Sequence, residues 1–363
     1  MKINQPKHSR IILTIARKDI LQAIKDRITL GVIIGVLLLI LPSQLIPLIL
    51  RSETNPLAVI YFTKNTSPGN ELIDNLASTA VQAQSVKDLQ DEIASGRSQI
   101  IGLVIPGDFF ENLSAKEVIE IDSYFPHWTK PDEANDLIKH FEEQIQRNTG
   151  INVKISIKDD QVHPTEKTRG SEVMFILQLV NAVLTISLAL VPQLIFTEKE
   201  SHTLDALLIS PARLSDLVIG KGLVGAFYAS IAATMVILLN TSIISHWWLL
   251  ISSIVSGIAF AVLLGLSIGL IFDNFQNATF AMYIIVILAI APAFIKLFLN
   301  LNIPHWLSIL MNWLPSGSFA HLLLTSVLKT YDPIFVLLLF CSIWVSNLLL
   351  FGVNIWLIKN KTS

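Results

Sequence analysis

Long apolar segments dominate this chain and restrict it to a membrane. A helix needs about 20 residues to cross a hydrocarbon core of roughly 30 Å, because each residue advances it by about 1.5 Å. The segments that meet this criterion are approximately 28–50, 172–196, 218–245, 247–272, 277–300 and 333–358. The composition agrees, since 52% of the residues are hydrophobic and only 15% are charged. We predict a polytopic α-helical membrane protein with six transmembrane helices.

One further apolar stretch, 303–329, is interrupted by Pro304, Pro315 and Gly317. In lipid only an intact helix satisfies its own backbone groups, so a broken segment must be covered by protein. We therefore predict a re-entrant segment at 303–329 rather than a seventh span. The predicted organisation is an N-terminal helix at 1–27, transmembrane helix 1 at 28–50, a soluble domain at 51–171, a five-span transmembrane domain at 172–358 and a tail at 359–363.

Basic residues predict the orientation of the chain. Those before the first span are Lys2, Lys7, Arg10, Arg17, Lys18, Lys25 and Arg27. Only Asp19 and Asp26 oppose them, and the positive-inside rule assigns such a flank to the cytoplasm. Six spans return the C-terminus to the same side, where Lys359 and Lys361 agree. We expect a multi-pass protein of a plasma or inner membrane with both termini cytoplasmic.

The basic flank also carries a helical pattern. Its apolar members are Ile11, Ile12, Ile15, Ile20, Ile24 and Ile28. Their near-helical spacing among basic residues predicts an amphipathic helix that lies on the lipids of the inner leaflet. A basic flank without a fixed helix is the alternative interpretation.

The segment 51–171 is the only sizeable polar region. Strand-like runs occur at 56–62, 100–106, 118–124 and 153–157, and helix-like runs at 71–79, 86–95 and 131–147. Strands that alternate with helices predict a small α/β domain, inserted between the first two spans. With the N-terminus in the cytoplasm, this domain is expected to be extracytoplasmic.

The sequence lacks the motifs of common chemistry. His127, His140 and His163 are scattered without a metal-ligand spacing, so we predict no metal site. No catalytic motif and no phosphate-binding glycine-rich loop occurs, which predicts that the chain is not an enzyme and binds no ATP itself. The net charge of −2 argues against a nucleic-acid partner, and the single cysteine, Cys341, excludes a disulfide within the chain.

Polar and small residues in the predicted spans allow two interpretations each. Gln178, Asn181, Asn347 and Asn354 are the main intramembrane polar groups, and hydrogen bonding between helices is favoured over substrate contact. A stripe at four-residue spacing permits close helix packing, either inside the subunit or across a dimer interface. Its members are Ser253, Gly257, Ala261, Gly265 and Gly269.

The polar loop after the second span has the features of a short amphipathic helix. Thr197 and Glu200 have the spacing of a capping box, which predicts that a new helix begins there. An apolar patch of Leu204, Leu207 and Leu208 follows, and Pro211 ends the helix. The segment is either a simple connector or a docking surface. We expect the glutamates and the leucine patch to lie at a water-exposed surface.

The loop resembles the signature of type-2 ATP-binding-cassette (ABC) exporter permeases. The strings that carry the resemblance are Glu198-Lys-Glu200, Thr203-Leu-Asp-Ala-Leu-Leu-Ile-Ser-Pro211 and Gly220-Lys221. In that family such a segment, here 197–216, forms the coupling helix that docks on the ATPase. The residues implied in coupling are Glu198, Glu200, Thr203, Leu204, Asp205, Leu207, Leu208, Ser210 and Pro211.

The resemblance extends over nearly the whole chain and implies a function. It implies a permease subunit that exports an amphiphilic compound or a small ion. ATP and Mg would be bound by a separate nucleotide-binding subunit, and a second permease copy or a paralogue would complete the transporter. A membrane-anchored sensor or a secondary transporter is the alternative, although intramembrane charge and internal repeats, which mark many secondary transporters, do not occur.

Overall fold

The structure is a computed structural model. It describes residues 8–23, 30–31, 34–35, 57–63, 80–94, 100–107, 109, 118–150, 152–158, 162–163, 171–200, 213–273, 275–298 and 305–362. The first predicted span, 28–50, and the predicted helix at 71–79 therefore lie almost wholly outside the described residues. The described part contains a helical bundle and a small α/β domain.

The membrane part of the bundle is built from long apolar helices. In chain order the helices of the bundle are α1 (His8–Ala23), α4 (Ser171–Glu200), α5 (Leu214–Leu239), α6 (Trp247–Ile271), α7 (Phe275–Phe298), α8 (His305–Trp313), α9 (Pro315–Val327) and α10 (Pro333–Thr362). The two helices between α1 and α4 belong to the α/β domain and are given with it below. Among the described residues, four helices are long and apolar enough to cross a membrane: Glu172–Glu200, Leu214–Leu239, Trp247–Ile271 and Pro333–Asn360. Helix α7 contains the shorter apolar stretch Met282–Ile295. The count of six spans stays a prediction.

Helices α4 and α6 form the centre of the bundle. Helix α4 packs against α5, α6, α7 and α9, and α6 also packs against α9 and α10. The predicted stripe on α6 lies in these contacts. A Cβ added to Gly257 would lie 2.5 Å from Phe319 on α9, and one added to Gly265 would lie 2.9 Å from the Ser187 carbonyl on α4. Ala261 is fully buried and Gly269 packs on Ile195, so the stripe joins helices of the same subunit.

The interrupted segment 303–329 forms two short helices, α8 and α9, on either side of Leu314. Pro315 begins α9, where its fixed φ is compatible with the first helical turn. Helix α9 is buried along nearly its whole length, so protein covers this half of the segment, whereas Trp306, Leu310 and Trp313 of α8 are exposed.

The α/β domain is built on one five-stranded mixed sheet. Its strands are β1 (Leu57–Phe62), β2 (Ala80–Gln82), β3 (Ile100–Ile105), β4 (Ile119–Tyr124) and β5 (Val153–Ile157), and its helices are α2 (Val86–Ala94) and α3 (Pro131–Thr149). The strand order is β2-β1-β3-β4-β5. Only the β3–β4 pair is antiparallel.

The two faces of this sheet carry separate apolar cores. On one face Phe109 and Phe141 are fully buried with residues of α3, and on the other Leu89 and Ile93 of α2 are fully buried. Helix α2 approaches β3 closely at Gly102, where an added Cβ would lie 2.2 Å from the Ile93 side chain. The domain therefore has its own core on both sides of the sheet.

The α/β domain contacts one end of the bundle. His127 Nε2 lies 3.1 Å from the carbonyl oxygen of Ile243, in the 3-10 turn (Thr241–Ile243) between α5 and α6. Helix α4 begins at this end and terminates at the other end, where α5 begins. The last residue of α4 and the first residue of α5 therefore lie at the end of the bundle opposite to the α/β domain.

Candidate coupling site

A buried group of three charged side chains connects the last turn of α4 to α5 and α1. The Lys221 ammonium, on α5, lies 2.8 Å from Glu198 Oε1 on α4 and 2.8 Å from Asp19 Oδ2 on α1. Both contacts are ion pairs, and the contact with Glu198 also has the geometry of a hydrogen bond. Side-chain exposure is only 3% for Lys221, 5% for Asp19 and 16% for Glu198. We call these three residues the ion triad.

The ion triad matters for stability because burying a charge without a partner costs free energy. Removing one partner of a buried pair typically costs about 3–5 kcal/mol, since the other charge is left without compensation. The triad holds one more carboxylate than ammonium, so loss of Lys221 would leave two buried carboxylates close together. Three helices that are separate in sequence are thus held at one point.

The neighbouring residue, Lys199, fastens α4 to a fourth helix. Its ammonium donates hydrogen bonds to the carbonyl oxygens of Gly269, at 2.8 Å, and of Phe272. It also lies 3.8 Å from Asp273 Oδ1. Gly269 lies in the last turn of α6 and Phe272 is the residue that follows the helix. The helix dipole places partial negative charge at this end, so a cation there is favourable.

Helix α1 packs closely on the beginning of α5. A Cβ added to Gly220 would lie 2.9 Å from the Ile15 side chain, so glycine permits this approach. Further along, the Tyr228 hydroxyl donates to the Ile20 carbonyl at 2.8 Å. These contacts place α1 against protein on one side, while Leu13 and Leu21 remain 68% and 57% exposed on the other.

The start of α5 is fixed as well. The Asp216 carboxylate accepts a hydrogen bond from the Arg213 backbone N–H at 3.1 Å, which caps one of the free N–H groups of the first turn. Both ends of the segment 201–212 are therefore attached to anchored helices: α4 through Glu198 and Lys199, and α5 through Lys221 and Asp216. The end of α4 and the start of α5 are thus connected to each other, to α1 and to the end of α6.

The predicted coupling residues divide into two groups. Glu198 and Glu200 lie in the last turn of α4, and Glu200 is exposed. The remaining predicted residues lie outside the described part of the chain: Thr203, Leu204, Asp205, Leu207, Leu208, Ser210 and Pro211.

Two predictions about this region are wrong. No helix begins at Thr197, because α4 continues to Glu200 and the Thr197 hydroxyl bonds back to the Gln193 carbonyl at 3.0 Å. The predicted coupling helix at 197–216 thus includes the end of α4 and the start of α5. Glu198 is also not a water-exposed surface residue, because Lys221 pairs with it.

The sequence analysis did not predict that Asp19, Lys199 and Lys221 form these contacts. Asp19 was interpreted only as an acidic residue opposing the basic flank. One signal was available: Asp19 is four residues from Ile15 and one from Ile20, so it lies beside the apolar face of a helix with 3.6 residues per turn. An acid at that position needs a cationic partner.

The intramembrane amides have different surroundings. Asn347 and Asn354 are buried on α10 and donate to the carbonyls of Ser256 and Leu263 on α6, at 3.3 and 2.9 Å. Asn181 instead accepts from the Thr185 hydroxyl of its own helix at 2.9 Å. Gln178, Asn181 and Thr185 are half-buried on α4, whereas most residues around them on this helix are buried. Interhelical hydrogen bonding is thus the role of Asn347 and Asn354.

These observations define a class. The chain is a polytopic helical membrane protein with an inserted α/β domain at one end and a fastened helix-to-helix connection at the other. A family model described as ABC-2 family transporter protein matches residues 28–356, and the chain belongs to that family. Comparison with curated proteins and with solved structures gave no match.

Proposed function

We propose that the chain is the permease subunit of an ATP-driven ABC exporter, with ATP and Mg bound by a separate nucleotide-binding subunit. Family membership supports a transporter subunit. The observation that carries the coupling role is the ion triad, because it joins both ends of the segment 201–212 to α1 and to the centre of the bundle. A second permease copy or a paralogue completes the transporter.

In this proposal the nucleotide-binding subunit docks on the leucine patch of Leu204, Leu207 and Leu208. Nucleotide-driven closure moves the segment 201–212, and the ends of α4 and α5 move with it because Glu198 and Lys221 are paired. The bundle then changes between two packings of similar free energy, which alternating access requires. Lys199 passes the displacement to the end of α6.

The proposed orientation places the segment 201–212 and both termini in the cytoplasm. The α/β domain is then extracytoplasmic, because it contacts the opposite end of the bundle at Ile243. The basic flank before the first span supports the same orientation. The proposed location is a plasma or inner membrane.

The proposed substrate path follows the half-buried face of α4. Asn181 lies ten residues after Ser171, or about 15 Å along the helix, which is near the middle of a membrane. An amide that faces lipid costs several kcal/mol without a hydrogen-bond partner, so this face is better suited to water or to a second subunit. Neutral hydrogen-bonding groups favour an amphiphilic substrate over a small ion. A strain that lacks the gene and becomes sensitive to sodium, without sensitivity to drugs or detergents, would reverse this preference.

Reconstitution tests the proposed function. The purified chain alone should show no ATPase activity, and co-expression with its nucleotide-binding subunit should give a complex that hydrolyses ATP and responds to substrate. Robust ATP turnover by the isolated chain would contradict the proposal, as would failure to recover any ATPase with the tagged chain.

A further inference from the structure

Two histidines that are far apart in sequence stack where the α/β domain meets the bundle. The rings of His127 and His163 have centroids 4.7 Å apart and an interplanar angle of 18°. The backbone holds them there, because the N–H of His127 donates to the Val162 carbonyl at 3.0 Å and that of Val162 donates to the Phe125 carbonyl at 2.9 Å. The stack lies directly after β4, at the point where the domain returns towards α4.

His127 also bonds the domain to the bundle. The Ile243 carbonyl can only accept a hydrogen bond, so Nε2 of His127 carries the proton in this contact. In a neutral ring Nδ1 is then an unprotonated acceptor. Among the described residues, the Nδ1 atoms of His127 and His163 are both buried without a hydrogen-bond partner. Protonation of the His127 Nδ1 would therefore create a buried cation with no acceptor at that atom.

The turn that His127 contacts is itself tied to α9. The backbone N–H groups of Ser245 and His246 both donate to the Ser326 carbonyl, at 3.1 and 2.8 Å. The Ser245 hydroxyl donates to the Val327 carbonyl at 2.7 Å, and the His246 ring lies 3.3 Å from the Lys329 carbonyl. The α/β domain therefore contacts the connection between α5 and α6, and this connection is hydrogen-bonded to the end of α9.

The surroundings of the stack oppose positive charge. Burial lowers the pKa of His127 from its ordinary value, although the backbone groups of Ile243 and Val162 act in the other direction. Burial is the main reason that the pKa of His163 is lowered to about 4, and the positive charges of His127, Lys329 and His246 contribute to the same shift. Tyr331, another titratable residue, packs edge-on against His246 with ring centroids 5.0 Å apart.

Docking of the α/β domain on the bundle should depend on pH. The docked arrangement favours neutral rings, whereas hydrated rings would be protonated below the ordinary imidazole pKa of 6.5. Docking is thus fully favourable above about pH 6.5. It weakens as the pH falls from there towards about 4, because the undocked arrangement binds more protons.

We propose that the stacked His127–His163 pair is an acid-operated latch, which fastens the α/β domain to the turn between α5 and α6 and releases it when the rings become protonated. The latch responds to the compartment into which the α/β domain projects. Release breaks the hydrogen bond between His127 and Ile243, so the α/β domain loses this contact with the bundle. This inference does not depend on coupling to an ATPase.

Distance measurements by pulsed electron paramagnetic resonance test the latch in the full chain in lipid nanodiscs. Spin labels are attached at Asn135→Cys, exposed on α3, and at Ile334→Cys, 71% exposed on α10, in a Cys341→Ser background. Dilution with unlabelled chain removes distances between subunits. We expect one narrow distance distribution at about pH 7.5, and a longer, broader population at about pH 4.5 that disappears when neutral pH is restored.

Matched variants identify the histidines as the cause. The double variant His127→Gln with His163→Gln keeps a donor for the Ile243 carbonyl but cannot be protonated, so it should give the narrow distribution at both pH values. The control His140→Gln changes an exposed histidine on α3 and should respond to pH like the wild type. If the double variant does not reproduce the neutral-pH distance, His127→Gln with His163→Phe replaces it, because this pair keeps one aromatic ring in the stack and contains no imidazole that can be protonated. An unchanged wild-type distribution at about pH 4.5, or a pH response that persists in the non-titrating variant, would overturn the latch.

Discussion

Lys221 on α5 and Asp19 on α1 form a buried ion pair, with 2.8 Å between Nζ and Oδ2. The pair joins the helix that precedes the first predicted span to the helix that follows the segment 201–212. Because both side chains are almost fully enclosed, separating them would leave charges in a medium of low polarity. Helices α1 and α5 are therefore expected to move as one body. In the proposed mechanism the N-terminal helix therefore moves together with α5.

Replacement of Lys221 should destabilise the protein strongly. In Lys221→Met the carboxylates of Asp19 and Glu198 lose their shared cation, and we expect a loss of about 3–5 kcal/mol in stability. Thermal unfolding of the purified chain in detergent measures this loss. The control Lys158→Met breaks an exposed 3.1 Å pair with Asp122, which water screens, so it should lower the melting temperature far less than Lys221→Met.

A rescue variant separates charge from packing. Adding Asp19→Asn and Glu198→Gln to Lys221→Met removes the uncompensated charges, so most of the lost stability should return. If Lys221→Met and Lys158→Met unfold at the same temperature, the ion triad does not hold the three helices together.

Close packing at Gly265 gives a second stability prediction. A Cβ there would lie 2.9 Å from the Ser187 carbonyl oxygen, and the backbone of α4 cannot move aside easily. Gly265→Val should therefore cost about 1–3 kcal/mol or more through overpacking. Gly352→Val is the matched control, because nothing lies within 4 Å of its added Cβ. Equal melting temperatures for the two variants would show that α4 and α6 are not in this contact.

The secondary structure of the α/β domain could largely be predicted from sequence. The runs at 56–62 and 100–106 coincide with β1 and β3 because buried parallel strands are continuously apolar. Strand β2 was missed. It is only three residues long and two of them are exposed, so it has neither an apolar run nor a long alternation.

The contacts of the site could not be predicted in the same way. The pairing of Asp19 with Lys221, and the stacking of His127 on His163, join residues from different elements. A periodic pattern identifies the face on which a residue lies but not the element that packs on that face. For the same reason the stripe at Gly257 to Gly269 allowed two partners, and only the structure shows that α4 and α9 are the partners.

Topology mapping tests the proposed orientation. Reporters inserted at about residues 65 and 140 should be active only outside the cytoplasm, and reporters at 206 and 361 only inside. Position 140 is exposed, but the next residue on α3, Phe141, is fully buried in the core, so the reporter there is a labelled cysteine at His140→Cys in place of an inserted domain. A reporter at 206 that is accessible only from outside would contradict both the orientation and the coupling role of the segment 201–212.

Cysteine accessibility tests the proposed substrate path on α4. In membrane vesicles of a Cys341→Ser background, Asn181→Cys and Thr185→Cys should react with a charged thiol reagent, because such reagents need water and a thiolate. Ser187→Cys is the buried control on the same helix, and Val345→Cys is the lipid-facing control, 55% exposed on α10. Neither control should react. Protection of the Asn181 and Thr185 positions, with normal ATPase activity in the complex, would place this face against protein or lipid instead of a water-filled path.

The leucine patch provides the prediction that separates coupling from folding. Burial of a leucine at a subunit contact contributes about 1.5–3 kcal/mol, so Leu204→Asp or Leu207→Asp should weaken binding of the nucleotide-binding subunit at least tenfold. Substrate-stimulated ATP hydrolysis should be lost with it. Glu200→Ala, at an exposed position, should assemble normally and couple poorly, whereas replacement of the paired Glu198 should also lower stability.

Each leucine variant is compared with Ile157→Asp, which changes an exposed apolar side chain on β5 and should affect neither assembly nor hydrolysis. Membrane insertion and melting temperature of the isolated chain are measured alongside, because a surface substitution typically changes stability by less than about 0.5 kcal/mol. If Leu207→Asp aggregates or fails to insert, and assembly is lost only for that reason, the segment 201–212 is a packed connector. Normal insertion with lost assembly would identify it as the docking surface.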